Sequence, residues 1–128
     1  MSAVVFDSSA VIALLRGEPG AAMVAGRVGQ AAMSTINLQE LIRALILRGL
    51  TLPVIEEMVH ELRLDLHAHD CEAAFAAARL TETTREHGSG LGDRSCMALA
   101  MKLGVPVLTA DRAWAKLKVP GLTVEVVR

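Results

Sequence analysis

The apolar positions of this 128-residue chain follow two different spacings, and each spacing predicts a different kind of element. Short continuous apolar runs predict buried strands, whereas apolar positions three and four residues apart predict amphipathic helices. The runs predict about five short strands. These strands are expected at Ala3–Phe6, Ala31–Thr35, Leu64–Leu66, Val105–Leu108 and Thr123–Val127.

Helical patterns fill the segments between these runs. They are expected at Ser8–Arg16, Ala21–Val28, Ile36–Arg48, Leu52–Leu62, Cys71–Thr84 and Asp93–Leu103, with a brief helix at Arg112–Leu117. Strands that alternate with helices form parallel sheets whose two faces are both covered. The sequence therefore predicts an α/β three-layer sandwich with a mainly parallel central sheet. No repeat or linker-like segment interrupts the pattern, so residues 1–128 are expected to form a single domain.

Composition narrows the class of protein. Apolar residues make up 52% of the chain, but no apolar run exceeds six residues, as at Ala10–Leu15. A membrane-spanning helix needs about 20. Asp7 interrupts the only N-terminal segment that could resemble a signal peptide. Cys71 and Cys96 form no metal-ligand spacing and are expected to be buried, reduced thiols. We expect a cytoplasmic protein without a membrane partner.

Four acidic residues occupy related positions in the predicted fold. Asp7 and Asp111 each follow a strand closely, in "AVVFDSSA" and "VPVLTADRAW". Asp93 begins the helix that leads into the second of these strands, and Glu40 lies about one turn into the helix after another strand. Ligands of open parallel sheets bind at the carboxyl ends of the strands. The four carboxylates are therefore expected to meet at one edge of the sheet.

A second interpretation of these acids is structural. Aspartate is a favoured helix N-cap, which contributes about 1 kcal/mol, and Asp7, Asp93 and Asp111 stand where caps are expected. Glu40 near a helix N-terminus also suits the helix dipole. Asp70 caps a helix in the same way and is expected to lie outside the site. Spacing alone does not separate the two interpretations.

Four blocks of the sequence together resemble a known family. They are "VVFDSSAVIALL", "STINLQE", "LGDRSCMALA" and "VPVLTADRAW", in that order along nearly the whole chain. These blocks resemble the signature blocks of PIN domains, in particular those of VapC-type toxins. The resemblance implies a metal-dependent endoribonuclease that is the toxin of a type II toxin–antitoxin pair. Such a toxin inhibits translation and growth until its antitoxin neutralises it.

The resemblance also implies roles for individual residues. The family's catalytic and metal-binding acids correspond to Asp7, Glu40, Asp93 and Asp111, and its supporting hydroxyl positions correspond to Ser9 and Thr109. Carboxylates are the ligands that Mg²⁺ or Mn²⁺ prefers, and such an ion activates water and stabilises the phosphate in phosphodiester hydrolysis. Asp7 is expected to be the central ligand, because its strand is the one predicted to lie in the middle of the sheet.

The charge balance bears on an RNA substrate. The net charge is −1, and one Trp, two Phe and no Tyr leave few aromatic groups for stacking on bases. If metal neutralises four acids, 13 basic groups face 10 acidic ones, which leaves +3. Arg94 and Arg112, each directly after an acid, are candidates for contacts with RNA phosphates. The alternative is that each pairs with a neighbouring acid at the surface.

The helix at Ile36–Arg48 suggests a protein partner. One broad apolar stripe comprises Leu38, Leu41, Ile42, Leu45 and Ile46. Ala44 and Leu47 form a second apolar patch beside Glu40. One patch can pack on the sheet and the other needs cover, so an interface is expected. Complete burial of the helix is the alternative. The resemblance implies an antitoxin and a second copy of the chain as partners.

The sequence excludes some other classes of enzyme and leaves two alternative functions open. An aspartyl-phosphate phosphatase needs a second Asp two residues after Asp7, where this chain has Ser9. No Gly-x-Ser-x-Gly elbow or P-loop ending is present. A housekeeping PIN ribonuclease in RNA processing and a catalytically silent PIN-like scaffold both remain as alternatives.

Overall fold

A five-stranded parallel sheet forms the centre of the computed structural model, which describes residues 1–128. The strands are β1 (Val4–Phe6), β2 (Ala31–Ser34), β3 (Asp65–His67), β4 (Val107–Thr109) and β5 (Val124–Val126). Their order across the sheet is β3-β2-β1-β4-β5, and every neighbouring pair is parallel. The prediction of a mainly parallel sheet is confirmed, and β1 lies in its middle.

Helices cover both faces of this sheet. They are α1 (Ser8–Arg16), α2 (Ala21–Ala25), α3 (Thr35–Leu47), α4 (Leu52–Leu62), α5 (Cys71–Ala78) and α6 (Leu91–Leu103), followed by a short 3-10 helix at Arg112–Lys116. One apolar core joins the sheet to α1, α3 and α4, and a second core joins it to α5 and α6. The predicted three-layer sandwich is confirmed.

The period-two geometry of the strands divides their side chains between the two cores. On β1, Val4 and Phe6 belong to the first core, and Val5 belongs to the second. On β4, Leu108 packs in the first core and Val107 in the second. Because successive side chains of a strand point to opposite faces, a strand buried on both faces must be apolar throughout. This requirement explains the short continuous apolar runs in the sequence.

The C-terminal boundaries of α5 and α2 lie before the predicted ones. Helix α5 ends at Ala78 and not at Thr84. The Thr81 hydroxyl donates to the Ala78 carbonyl at 2.5 Å, and the Thr84 hydroxyl donates to the Leu80 carbonyl at 2.6 Å. Such side-chain bonds compete with helix continuation, so this threonine-rich segment forms turns. Helix α2 ends at Ala25, three residues before the predicted Val28.

The boundaries of two strands also differ from the predictions. Strand β4 begins at Val107 and not at Val105, because the Val105 N–H bonds to the Ala100 carbonyl and closes the end of α6. Strand β3 occupies Asp65–His67, one residue beyond the predicted segment. The bounds of this short edge strand are set by its pairing with β2, and the hydrophobic pattern of the sequence does not predict this pairing.

The two cysteines have different environments. Cys96 on α6 is fully buried, as predicted, and burial raises the pKa of its thiol well above the usual range. The prediction that Cys71 is buried is wrong, since Cys71 is exposed at the first position of α5. None of the helices combines the length and the apolar character needed to cross a membrane.

Candidate active site

Asp7 lies at the carboxyl end of the central strand, in a nearly closed environment. Its side chain is only 4% exposed. The Ser9 hydroxyl donates to Asp7 Oδ2 at 2.6 Å, and the Thr109 hydroxyl donates to the same oxygen at 2.9 Å. Asp7 occupies the N-cap position of α1, but its side chain accepts no capping hydrogen bond. The Asp7 carboxylate therefore does not cap the N-terminus of α1.

Ser9 and Thr109 also connect the two ends of the chain. The Ala110 N–H donates to Ser9 Oγ at 3.0 Å, and the Asp111 N–H donates to Thr109 Oγ1 at 3.1 Å. The two hydroxyl groups lie 3.2 Å apart. Both residues thus stand directly beside Asp7, where the sequence comparison placed supporting hydroxyls, and they fix the segment that carries Asp111.

The electrostatic environment of Asp7 opposes its ionisation. Burial raises the pKa of this carboxyl group to about 6, in spite of the two hydroxyl donors, which lower it. The negative charges of Asp93 and Glu40 raise the pKa further. Burial and nearby like charges raise the pKa of a carboxyl group, and perturbed pKa values of this kind cluster at functional sites.

Glu40 extends from the second turn of α3 toward the start of α6. Ser8 Oγ donates to Glu40 Oε1 at 3.2 Å, and Asn37 Nδ2 donates to the same oxygen at 2.9 Å. Asn37 is fully buried and also donates to the Gly92 carbonyl at 3.0 Å. The Asn37 Oδ1 atom is buried without a hydrogen-bond partner. Asn37 therefore ties the orientation of Glu40 to helix α6.

Gly92 provides the space that the Glu40 carboxylate occupies. A Cβ atom added at position 92 would lie 2.3 Å from Glu40 Oε2. The need for glycine here comes from this close approach and not from backbone conformation, because its φ angle lies outside the positive region. Sequence reasoning missed both Asn37 and Gly92. The spacing of Asn37 and Glu40, one helical turn apart in "STINLQE", is the feature that could have indicated the first of them.

We expect Gly92→Ala to displace the Glu40 carboxylate and to destabilise the protein by up to about 1 kcal/mol, because the added methyl group overlaps the movable end of an exposed side chain. In a Glu40→Ala background the same change should be neutral or stabilising, since alanine is the better helix former. Chemical denaturation of the four proteins of this cycle measures the difference. Gly26→Ala is the matched control, as the nearest atom to its added Cβ would be 3.6 Å away. An equal effect of Gly92→Ala in both backgrounds would contradict the explanation.

Asp93 faces the same edge from the first turn of α6. The helix begins at Leu91, so the prediction that it begins at Asp93 is wrong. The capping interpretation holds, however, because Asp93 Oδ2 accepts a hydrogen bond from the Gly90 N–H at 3.1 Å, as the acidic side chain of a capping box. Partial burial raises the pKa of Asp93, and the charges of Glu40 and Asp111 raise it further, while the Gly90 hydrogen bond and the Arg94 charge lower it.

Asp111 is exposed, and its side chain does cap a helix. Asp111 Oδ1 accepts from the Ala113 N–H at 3.0 Å, at the start of the 3-10 helix. Asp70 caps α5 in the same way, through the Ala73 N–H at 2.9 Å. Only one of these two capping residues lies near the other predicted acids. The charge of Asp111 raises the pKa of Asp93, whereas the charge of Asp70 is not among those that shift the pKa of Asp7 or Asp93.

These interactions bring the four predicted acids to one edge of the sheet. We call Asp7, Glu40, Asp93 and Asp111 the acid rim. Asp7 is influenced by Glu40 and Asp93, and Asp93 by Glu40 and Asp111. As the side chains stand, no three His, Cys, Asp or Glu residues come close enough to enclose one ion. The rim still fits a hard divalent cation in its chemistry, since its donors are carboxylate oxygens whose mutual repulsion a cation would relieve.

The two candidate arginines have different surroundings. Arg94 is half-buried, and its guanidinium group donates to the Ser89 carbonyl. Arg112 is exposed. Neither forms an ion pair with an acid, which argues against the alternative that these side chains only neutralise a neighbouring carboxylate.

The fold and the acid rim define a class of protein. The family model of the PIN domain matches residues 4–120, and the chain belongs to the PIN domain family. No curated protein sequence matches the chain. The match spans all four members of the acid rim.

Solved structures with this fold include chains of toxin–antitoxin complexes. The chain is similar to one in a toxin–antitoxin complex from Klebsiella pneumoniae, with 18% identity, a TM-score of 0.73, and coverage of 94% of this chain and 95% of that one. A DNA-bound VapBC structure from Salmonella typhimurium has 19% identity, a TM-score of 0.70 and complete coverage of both chains. VapBC-1 from nontypeable Haemophilus influenzae has 19% identity, a TM-score of 0.68 and 96% coverage of each chain. At these identities the likeness shows a shared fold.

Proposed function

We propose that this protein is a VapC-type toxin, a metal-dependent endoribonuclease of a type II toxin–antitoxin pair. The observation that carries the proposal is the acid rim, in which carboxylates from four separate segments at the carboxyl edge of a PIN-domain sheet lie near enough for their charges to raise the pKa of Asp7 and Asp93. A stabilising role alone does not explain why the protein keeps two of these carboxyl groups with raised pKa. The toxin–antitoxin complexes among the structures that share this fold support the same proposal.

The acid rim would hold Mg²⁺ or Mn²⁺, with Asp7 as the central ligand. When bound, such an ion activates a water molecule and offsets charge on the scissile phosphate. Ser9 and Thr109 fix the orientation of the Asp7 carboxylate through two hydrogen bonds to one oxygen. Asn37 and Ser8 do the same for Glu40.

The proposed substrate is RNA. Once cations neutralise the four acids, the remaining 13 basic and 10 acidic groups give the chain a positive balance. Arg94 and Arg112 lie beside the rim without ion-pair partners and would contact RNA phosphates. Guanidinium groups suit such contacts because they donate two parallel hydrogen bonds.

Cleavage of total RNA by the purified protein tests this function. We expect cleavage with Mg²⁺ or Mn²⁺ at defined positions, visible when the new ends are mapped, and none with a chelator. Cleavage that persists in chelator would contradict a metal-dependent mechanism. A protein that binds RNA but never cuts it would favour the silent scaffold.

The exposed apolar residues at the end of α3 and the start of α4 are the proposed binding surface for an antitoxin. We call this surface the α3–α4 patch, and it comprises Ile46, Leu47, Leu52 and Val54. Leu41 and Leu45 of α3 are buried, whereas Ile46, which the apolar pattern placed on the same stripe, is exposed. A second copy of the chain is the other proposed partner of this protein. Large exposed apolar side chains grouped in this way indicate a protein interface.

We expect Ile46→Glu to fold normally and to weaken antitoxin binding or self-association, since Ile46 is 47% exposed. Leu45→Glu should unfold the protein, because Leu45 is only 5% exposed and a buried charge has no partner there. Thermal melts and light scattering with the co-expressed antitoxin separate the two effects. Growth arrest on expression, relieved by the antitoxin for the wild type but not for Ile46→Glu, would distinguish a toxin from a housekeeping enzyme. If Ile46→Glu assembles like the wild type, the α3–α4 patch is not the interface.

A further inference from the structure

A groove opens between helices α3, α5 and α6, directly beside the acid rim. We call it the α3–α5–α6 groove, and its volume is about 490 Å³. Pockets of roughly 300–1,000 Å³ are typical for small ligands and cofactors. Glu40 and Gly92 line the groove as well as the rim, so the two are continuous.

The charges of the groove favour an anionic occupant. Arg43 on α3 and Arg94 on α6 both line it. Neither guanidinium group forms an ion pair with a carboxylate. The carboxylate of Glu40, at the end of the groove, is already oriented by Asn37 and Ser8. Two arginines without acidic partners suit the phosphates of an extended chain.

The α5 wall of the groove is small and apolar, whereas Gln39, His69 and Ser95 add polar groups elsewhere in the lining. Ala74, Ala77 and Ala78 of α5 form one wall, and Leu91 stands exposed at the mouth. Three alanines leave a flat surface to which a planar group can approach closely. A short polar peptide would gain little from such a wall, whereas a nucleobase presents a flat apolar face to it.

The single exposed aromatic side chain borders the same region. The chain has two Phe, one Trp and no Tyr. Phe6 and Trp114 are buried in the two cores, whereas Phe75 is 63% exposed. On α5, Phe75 lies about 60° around the helix axis from Ala78, so it flanks the alanine wall on its outer side.

We infer that the α3–α5–α6 groove is a nucleotide subsite that takes one unpaired nucleotide of the RNA next to the scissile phosphate. The base lies against the alanine wall and Leu91, and Arg43 and Arg94 hold the flanking phosphates. This inference rests on the proposed ribonuclease function. It adds that recognition of the substrate occurs on the α5 side of the rim, through stacking and phosphate contacts.

Binding of a fluorescently labelled single-stranded oligoribonucleotide, measured in chelator so that metal-dependent cleavage does not occur, tests the subsite. Ala78→Leu fills the groove at an exposed helical position and should weaken binding about tenfold, because the larger side chain excludes the base from the alanine wall. Arg43→Gln should weaken binding and reduce the slope of log affinity against log salt by about 1. Ala22→Leu, the same change at an exposed position of α2, is the matched control and should bind like the wild type.

The possible results separate the subsite from the function on which it rests. If the wild type cleaves RNA but Ala78→Leu and Arg43→Gln bind the oligoribonucleotide as Ala22→Leu does, the subsite is wrong. Loss of antitoxin binding by the same two variants would then assign the groove to a protein partner. If the wild type never cleaves RNA although the two variants weaken binding, the subsite stands and the proposed activity is wrong. Thermal melts confirm that each variant is folded.

Discussion

Asp7→Asn is expected to abolish metal-dependent RNA cleavage and to leave the fold intact. The amide oxygen of asparagine can still accept the hydrogen bonds from Ser9 and Thr109, so the local structure survives. The variant loses the negative charge that would bind the cation at the centre of the rim. Changes to residues that only support a metal ligand already reduce activity about 10- to 100-fold, and loss of the central ligand should exceed that range. Initial rates on a defined RNA with Mn²⁺, together with the melting curve, measure both effects.

Asp70→Asn is the matched control for this prediction. Asp70 caps α5 through the Ala73 N–H, and asparagine caps a helix about as well as aspartate. Its charge does not act on Asp7 or Asp93. The control should therefore retain most of the wild-type activity. An Asp7→Asn variant that turns over RNA at the wild-type rate would remove Asp7 from the catalytic site.

The positions of the acid rim followed from the sequence because strand ends are local features. Asp7 comes directly after an apolar run, and parallel strands bring their carboxyl ends to one edge of the sheet. Topology alone therefore places Asp7 and Asp111 near each other, once the strands are recognised. Glu40 and Asp93 join them because their helices begin at that edge.

The supporting contacts could not be read in the same way. Asn37 matters because it donates to both Glu40 and the Gly92 carbonyl, 55 residues away. Gly92 matters because a carboxylate from another helix lies where its Cβ would be. Contacts of this kind depend on how two helices pack, which periodicity does not report. The exposure of Cys71 was missed for the same reason, since composition gives an average burial and not a location.

The second large expected effect concerns the stability of the metal-free protein. The pKa of Asp7 is about 6 in the folded protein, against 3.8 for an ordinary aspartate. Between these two values the folded state binds more protons than the unfolded state, so the free energy of unfolding falls as the pH rises. One pKa unit corresponds to about 1.4 kcal/mol, so the free energy of unfolding of the wild type should fall by about 2–3 kcal/mol between pH 4 and pH 7.

Asp7→Asn removes this loss, because the amide stays neutral at every pH. In chelator we therefore expect the variant and the wild type to be similarly stable near pH 4, and the variant to be more stable by about 2–3 kcal/mol at pH 7. This difference corresponds to a melting temperature about 10 °C higher. Asp93→Asn should act in the same direction but less, since burial and the neighbouring charges of Glu40 and Asp111 raise the pKa of Asp93, which is only partly buried.

Denaturant unfolding in chelator at pH 4 and pH 7, followed by a Mn²⁺ titration, measures these differences. Mn²⁺ should reverse the order at about a thousandfold excess over Kd, because a ligand that binds only the native state then stabilises it by about 4 kcal/mol. The wild type should gain this stabilisation, and the two variants should gain much less. If the three proteins have equal stability at both pH values, with and without Mn²⁺, the ionised forms of Asp7 and Asp93 are not penalised by burial or by their neighbours, and the two residues do not bind the cation. Their positions at the strand and helix ends would then serve the fold alone.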